Sequence, residues 1–372
     1  MKKIVIVLVL IILFSAVGCT AGDNAVGFTE YGYFGAVLTV KGYCEKSVMD
    51  EIKEEAKEFL AEFSLKVDES ISGSDLYNFN NAIDGQTIEV SEVTYKLLSK
   101  AKDAYSLTNG DYNPCVYHLV DLWGFSKRFF TNYKKTKVYD RDFVDNYYPL
   151  PDNKYVDAFK LLTDFDKVEF SENNGKYTLT KNNTKVSIDG VDYYLKLDIG
   201  GIIKGYVTDV VKAIMVTKNV TKGYVSYGTS SLCLLDNADN TGWELTLTHP
   251  RKEGTYCDMR MSNKFVATSG DYERFYNVDG KRYSHLIDGK TGKPIDNGVC
   301  SVTVFCDDGL IADALSTALS VGGKEKIKSF VNSSYAIDNG IKVVAVFEEN
   351  GELRVFSTQD ITLKKGIEYE KN

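Results

Sequence analysis

Two neighbouring segments constrain this chain most: residues 299–305, an apolar and β-branched run of strand type, and residues 311–319, a helix of small residues close behind it. The helix reads Ile311-Ala312-Asp313-Ala314-Leu315-Ser316-Thr317-Ala318-Leu319, so Asp313 and Thr317 stand four residues apart. On a helix that spacing puts their Cβ atoms about 5–6 Å apart on one face. A carboxylate and a hydroxyl therefore point the same way. Two oxygens from one turn suit a hard cation, because Mg²⁺ takes oxygen ligands and fills its shell with water and substrate phosphates. The same pair also reads as an Asp near a helix start and a Thr bonded back to the preceding turn, and spacing alone does not separate the two.

Upstream, Ala267-Thr268-Ser269-Gly270-Asp271-Tyr272-Glu273-Arg274 and Tyr283-Ser284-His285-Leu286-Ile287-Asp288-Gly289-Lys290-Thr291-Gly292 read as a turn-rich loop around a single histidine. His285 is one of three histidines, with His118 and His249. An ordinary pKa near 6.5 suits a general base at neutral pH; a histidine tied to a nearby turn is the alternative. Further back, Leu197-Asp198-Ile199-Gly200-Gly201 runs through Lys204-Gly205-Tyr206 into a helix expected over 207–215. A strand, a glycine pair and a helix start make a place where backbone amides meet phosphate, and Lys204 adds a positive charge there. A tight strand-to-helix turn explains the glycines equally well.

The rest of the chain supplies the body. Residues 28–40 alternate as a strand, and 47–63 form an amphipathic helix with Val48, Ile52, Ala56, Phe59, Leu60 and Phe63 on one stripe. Residues 73–82 are polar and turn-like, and 93–108 form a second helix closed by Asn109-Gly110. Trp123 reads as core. Residues 127–151 are an aperiodic surface excursion, 155–162 a short helix, and 167–188 two or three strands broken at Asn173-Asn174-Gly175 and Asn182-Asn183. Strands are expected over 223–235 and 243–248, with a closing hairpin over 341–356 around Asn350-Gly351.

With 372 residues, 44% of them hydrophobic, the chain can bury a large core. Twenty-five Tyr and five Pro favour a sheet-rich body. Lys plus Arg at 44 against Asp plus Glu at 52 gives a net charge of −8, which argues against nonspecific nucleic-acid binding. A phosphate ligand would need local help from a lysine, a metal or backbone amides. No internal repeat or linker divides the body, so one α+β unit is expected, with two lobes as the alternative.

Met1-Lys2-Lys3 and the apolar run 4–14, ending Ser15-Ala16-Val17-Gly18-Cys19, match a signal peptide rather than a membrane span. Small residues before a cysteine are the pattern of a bacterial lipoprotein signal, with Cys19 lipidated and residues 19–27 as tether; secretion with an unmodified Cys19 is the alternative. Acyl chains at ~0.8 kcal/mol per buried CH₂ would hold such a protein on the outer face of a membrane. Cys44, Cys115, Cys233, Cys257, Cys300 and Cys306 form no CxxC pair, which speaks against zinc and thioredoxin-like chemistry. Cys300 and Cys306 would sit about 20 Å apart on one strand, too far to bridge. Buried free thiols are expected.

Taken in order, five blocks make the chain resemble the ApbE-type FAD:protein FMN transferases. They are Ser74-Asp75-Leu76 through Asn80; Gly110 to Pro114 running on to Leu122-Trp123-Gly124-Phe125; Leu197 to Gly201 with Lys204-Gly205-Tyr206; Ala267 to Tyr272 with His285 to Asp288 and Thr291-Gly292; and Ala312 to Ala318. The resemblance implies a T-fold-like α+β body of mixed antiparallel sheets and helices over 28–362, behind a signal peptide at 1–18 and before a tail at 363–372. It implies an enzyme that splits FAD at its pyrophosphate, joins FMN to a Thr or Ser of a partner protein and releases AMP. In that scheme Asp313, Thr317 and the Gly201 carbonyl hold Mg²⁺. Lys204 and His285 serve catalysis and contact FAD, and Phe34, Asp111, Tyr112, Asn113, Thr268 and Ser269 complete the flavin-binding set. The acceptor would be a membrane or exported redox protein, met on the extracytoplasmic face of a bacterial membrane by an enzyme anchored at Cys19. Hydrolysis of FAD to FMN and AMP, and a flavin-binding surface lipoprotein without turnover, are the rival readings. The chain departs from the family pattern at Phe34, where methionine is common, at Asn113 in place of Asp, and at Gly289 in place of Pro.

Overall fold

Every residue of the strand Val299–Cys306 is buried, because helices cover one face of its sheet and a smaller sheet covers the other. That double cover is why the strand shows no polar alternation. The computed structural model describes residues 25–126, 150–364 and 367–370; the expected signal peptide, Cys19 and nearly all of the 127–151 excursion lie outside the described residues.

Among the described residues the principal sheet has nine strands: β1 (Val26–Tyr33), β2 (Ala36–Gly42), β3 (Gly223–Tyr227), β4 (Ser231–Leu234), β5 (Lys264–Gly270), β6 (Val299–Cys306), β7 (Lys342–Glu349), β8 (Glu352–Ser357) and β9 (Glu368–Glu370). They lie across the sheet in that same order. Neighbours run antiparallel from β1 to β8, and β9 joins β8 in parallel. The sheet stays open, with β1 and β9 at its edges. Alternation along β5 sends Phe265 and Ala267 into one core and Val266 into another.

The first core lies under the helices α1 (Lys46–Val67), α2 (Asp75–Asn81), α3 (Glu92–Leu107), α4 (Ile203–Thr217) and α5 (Gly309–Val331). α1 buries Met49, Ile52, Ala56, Leu60, Phe63 and Val67, a stripe at helical spacing. α3 starts at the Ser91 cap, whose hydroxyl accepts from Thr94 N–H. It stops where Asn109 and Gly110 turn left-handed and Gly110 N–H donates to Tyr105 O at 2.8 Å. The second core packs Val266, Phe305, Val344 and Val346 against Leu245, Tyr256 and Met259 of a sheet formed by Trp243–Thr248, Thr255–Met261 and Thr362–Leu363. The architecture is the expected mixture of helices and largely antiparallel sheets. Among the described residues no helix is long and apolar enough to cross a membrane.

Three local expectations need correction. Residues 73–82 contain α2, not a turn: Ser74 caps it by accepting from Tyr77 N–H at 3.0 Å, and Leu76 and Phe79 bury its apolar side. The 28–40 run is a hairpin, because Phe34 (φ 50°) and Gly35 (φ 67°) reverse the chain between β1 and β2. Residues 264–270, read in part as loop, form the central strand β5. The six cysteines from Cys44 to Cys306 are free, five of them buried and Cys44 half-buried. Trp123 is core, donating its indole N–H to Gly292 O at 2.8 Å.

Candidate active site

α4 and α5 meet backbone to backbone. A Cβ on Gly205 would lie 2.0 Å from Gly309 O, and one on Gly309 would lie 2.5 Å from Gly205 O, so only glycine permits the approach. Asp313, one turn into α5, reaches across it. Its Oδ2 accepts from Gly205 N–H at 2.9 Å, its Oδ1 accepts from the Ser231 hydroxyl at 3.0 Å, and Lys204 Nζ stands 3.8 Å from Oδ2. The side chain is buried. An ionised carboxylate offers about four acceptor positions, so these contacts leave lone pairs for a further ligand.

One turn on, Thr317 Oγ1 lies 3.2 Å from Ser269 Oγ, which lies 2.8 Å from Ser316 Oγ. The glycine turn closes over this hydroxyl group: a Cβ on Gly201 would sit 3.5 Å from Thr317 Oγ1 and 3.3 Å from the Tyr112 ring. Asp198 Oδ1 fixes the turn by accepting from Gly200 N–H at 2.7 Å, and Lys204 Nζ donates to Gly200 O at 3.3 Å. Tyr112 is buried, and among the described residues its hydroxyl has no hydrogen-bond partner. Burial, then the Asp198 and Asp313 carboxylates, push the phenol well above its usual range, so it stays a neutral donor.

The donors gathered here are a carboxylate, hydroxyls and main-chain oxygens. This is a hard-oxygen set that fits Mg²⁺ and does not suit thiophilic metals. Among the described residues no three His, Cys, Asp or Glu side chains converge as a metal cage. A cation at Asp313 would therefore complete its shell from main chain, water and substrate.

His285 approaches the same pocket from the 283–292 segment. Its N–H donates to Arg274 O at 2.9 Å, and its ring Nδ1 lies 3.2 Å from that carbonyl. A carbonyl only accepts, so Nδ1 carries the proton and Nε2 keeps a lone pair. Burial, with the Arg274 and Lys204 cations, holds the ring well below its ordinary pKa, so it is neutral at pH 7.

The structure thus brings Gly201, Lys204, Ser269, Asp313 and Thr317 together, with Tyr112 against Gly201 and His285 within the field of Lys204. Phe34 packs against the first core, its ring centroid 5.7 Å from that of Phe63, which packs on Tyr206 of α4. Three other side chains expected in the flavin-binding set are held by protein partners. Thr268 points to the opposite face of β5 from Ser269 and bonds Thr303 Oγ1 at 2.9 Å, because successive side chains alternate along a strand. The Asn113 amide is locked between Cys115 N–H at 2.8 Å and Thr163 O at 2.7 Å. Asp111 lies between Lys290 at 2.5 Å and Lys326 at 3.6 Å. Ser231 carried no sequence signal, because it reaches Asp313 across 82 residues of chain.

Fold and site together define a class: an open, mostly antiparallel sheet carrying a carboxylate-and-hydroxyl pocket where two helix starts cross beneath a glycine turn. The family model described as the ApbE family matches residues 34–342, and the chain belongs to that family. It is similar to the FAD:protein FMN transferase of Klebsiella pneumoniae (strain 342), with 27% identity over 308 residues covering 81% of this chain and 79% of the relative. The FAD:protein FMN transferase of Escherichia coli (strain K12) is 26% identical over 301 residues, covering 80% and 77%. Among solved structures, the flavin transferase ApbE from Vibrio cholerae superposes with a TM-score of 0.72 at 24% identity, covering 90% of this chain and 97% of that one. The apo form of Pseudomonas stutzeri flavinyl transferase ApbE matches with the same TM-score and identity, covering 90% and 95%. At that identity the likeness to solved structures speaks for the fold.

Proposed function

We propose that this FAD:protein FMN transferase cuts FAD at its pyrophosphate with the help of Mg²⁺, joins FMN through a phosphoester to a Thr or Ser hydroxyl of a partner protein, and releases AMP. The observation that carries the reading is the pairing of Asp313 and Thr317, one helical turn apart, against the Gly200-Gly201 turn, with Lys204 Nζ 3.8 Å from the carboxylate. Asp313, Thr317 and the main-chain carbonyl of Gly201 would hold the cation, which when bound supplies neutralising charge at the phosphate bridge. Lys204 offsets negative charge as it moves onto the AMP side. His285, neutral with Nε2 free, takes the proton of the acceptor hydroxyl. Water in place of that hydroxyl would give free FMN, which is the hydrolase alternative. We further propose that the enzyme works on the extracytoplasmic face of a bacterial membrane, anchored at Cys19, on membrane or exported redox proteins.

The test is incubation with FAD, Mg²⁺ and a threonine-bearing acceptor, followed by mass analysis of the acceptor and assay of AMP. FMN on the acceptor with equimolar AMP supports transfer; AMP with free FMN alone supports hydrolysis. Asp313→Ala is expected to slow turnover by at least about 100-fold while leaving the fold intact, and an unimpaired variant would refute the metal assignment. His285→Ala is expected to cost about 10²–10⁴ in acceptor modification with little change in FAD binding; equal losses in both would assign the ring a structural role.

A further inference from the structure

The contact between α4 and α5 is reciprocal. Asp313 of α5 accepts from Gly205 N–H in the first turn of α4. Asp209, one turn beyond Gly205 on α4, accepts in return from the first turn of α5: Oδ1 from Gly309 N–H at 2.8 Å and Oδ2 from Leu310 N–H at 2.9 Å. Asp308 takes the next two amides, Ile311 N–H on its side chain at 2.9 Å and Ala312 N–H on its carbonyl at 3.0 Å. All four leading N–H groups of α5 are thereby satisfied, two of them by a side chain from another helix 100 and 101 residues away in sequence.

From these bonds we infer that Asp209 is a positioning residue for Asp313: by clamping the first turn of α5 against α4, it fixes where the Asp313 carboxylate stands relative to Gly201 and Lys204. The inference rests on the metal reading above. Gly309 precedes Asp313 by four residues, about 6 Å of rigid helix, so displacement of the first turn is passed to the carboxylate almost undiminished. The glycines leave no side chain to buffer the contact, and Ser231 alone would then hold Asp313 from the sheet side. A carboxylate is also the one side chain of this length that accepts from two amides at once; Asn offers a single acceptor oxygen and turns an NH₂ toward the other N–H. Burial and the neighbouring Asp308 push the Asp209 carboxyl up to about 6, against the pull of the two amides. The two amides and Lys100 favour the charged form against that push.

The experiment measures Mn²⁺ uptake by the full chain, without FAD, using electron paramagnetic resonance of free Mn²⁺, alongside thermal melting. Asp209→Asn is expected to weaken Mn²⁺ binding by about 10- to 100-fold, as loss of a group that orients a ligand does, while melting stays cooperative. Leu319→Ala, a cavity in the same helix beyond Thr317, is the control: it should lower the melting temperature and leave Mn²⁺ affinity in place. If Asp209→Asn does not fold, Asp209→Glu supplies the same comparison with the charge kept and the reach changed. Unchanged affinity in the folded Asp209 variant overturns the positioning role, as does an equal loss in Leu319→Ala, which would mean general softening. A wild-type protein that takes up no Mn²⁺ fails the metal reading itself and removes the inference with it.

Discussion

Asn113 shows what one side chain contributes to the architecture behind the pocket. Its oxygen accepts from Cys115 N–H, its NH₂ donates to Thr163 O, and the Thr163 hydroxyl lies between Lys160 O at 2.8 Å and Gly289 O at 3.1 Å. A Cβ on Gly289 would lie 2.8 Å from the Asn113 nitrogen. Asn113 and Gly289, the positions where Asp and Pro were expected, therefore lie against each other, and the glycine leaves room for the amide. Asn113→Asp would set a carboxylate oxygen against the Thr163 carbonyl and should destabilise the fold by about 1–3 kcal/mol, read as a lower melting temperature. An unchanged melting curve would mean that the bond to Thr163 contributes nothing. Residue-level legibility followed sequence distance. Asp313 and Thr317 could be paired from the sequence because a helix makes them neighbours at four residues. Ser231, Asp209 and Thr163 act on partners 82, 100 and 126 residues away, where no local pattern points.

At the level of elements, the crossing of α4 and α5 at Gly205 and Gly309 sets the geometry of the pocket. A methyl on Gly205 meets backbone, which cannot rotate aside as a side chain would. Gly205→Ala should therefore cost about 1–3 kcal/mol in denaturant unfolding and part the helices at the start of α5. A variant with wild-type stability would show that the helices separate freely. Long periodic helices such as α1 and α3 were legible because an apolar stripe and a cap are local signals. The strand β5 was harder, because Thr268, Ser269 and Gly270 are turn-type residues placed in a sheet for their hydroxyls and small size. α2 failed for a related reason: its Asn-rich text looks like a turn until Leu76 and Phe79 find a core. The β1–β2 reversal was hidden by Phe34, a bulky residue at positive φ.

For the whole molecule, the described body is organised on one nine-stranded open sheet, with one face given to the pocket-bearing helices and the other sealed by a small sheet. The proposed anchor residue, Cys19, precedes β1 by seven residues. Cys19→Ser should move the protein expressed in a bacterial host from the membrane fraction to the soluble extracytoplasmic fraction; an unchanged partition would rule the lipid anchor out. The order of strands has its own consequence for synthesis. β2 ends at Gly42 and its partner β3 begins at Gly223, about 180 residues later. On a ribosome adding roughly 5–20 residues per second, the first hairpin waits roughly ten to forty seconds for the strand that covers it. During that interval the bare backbone edge of β2 is open to pairing with the wrong chain.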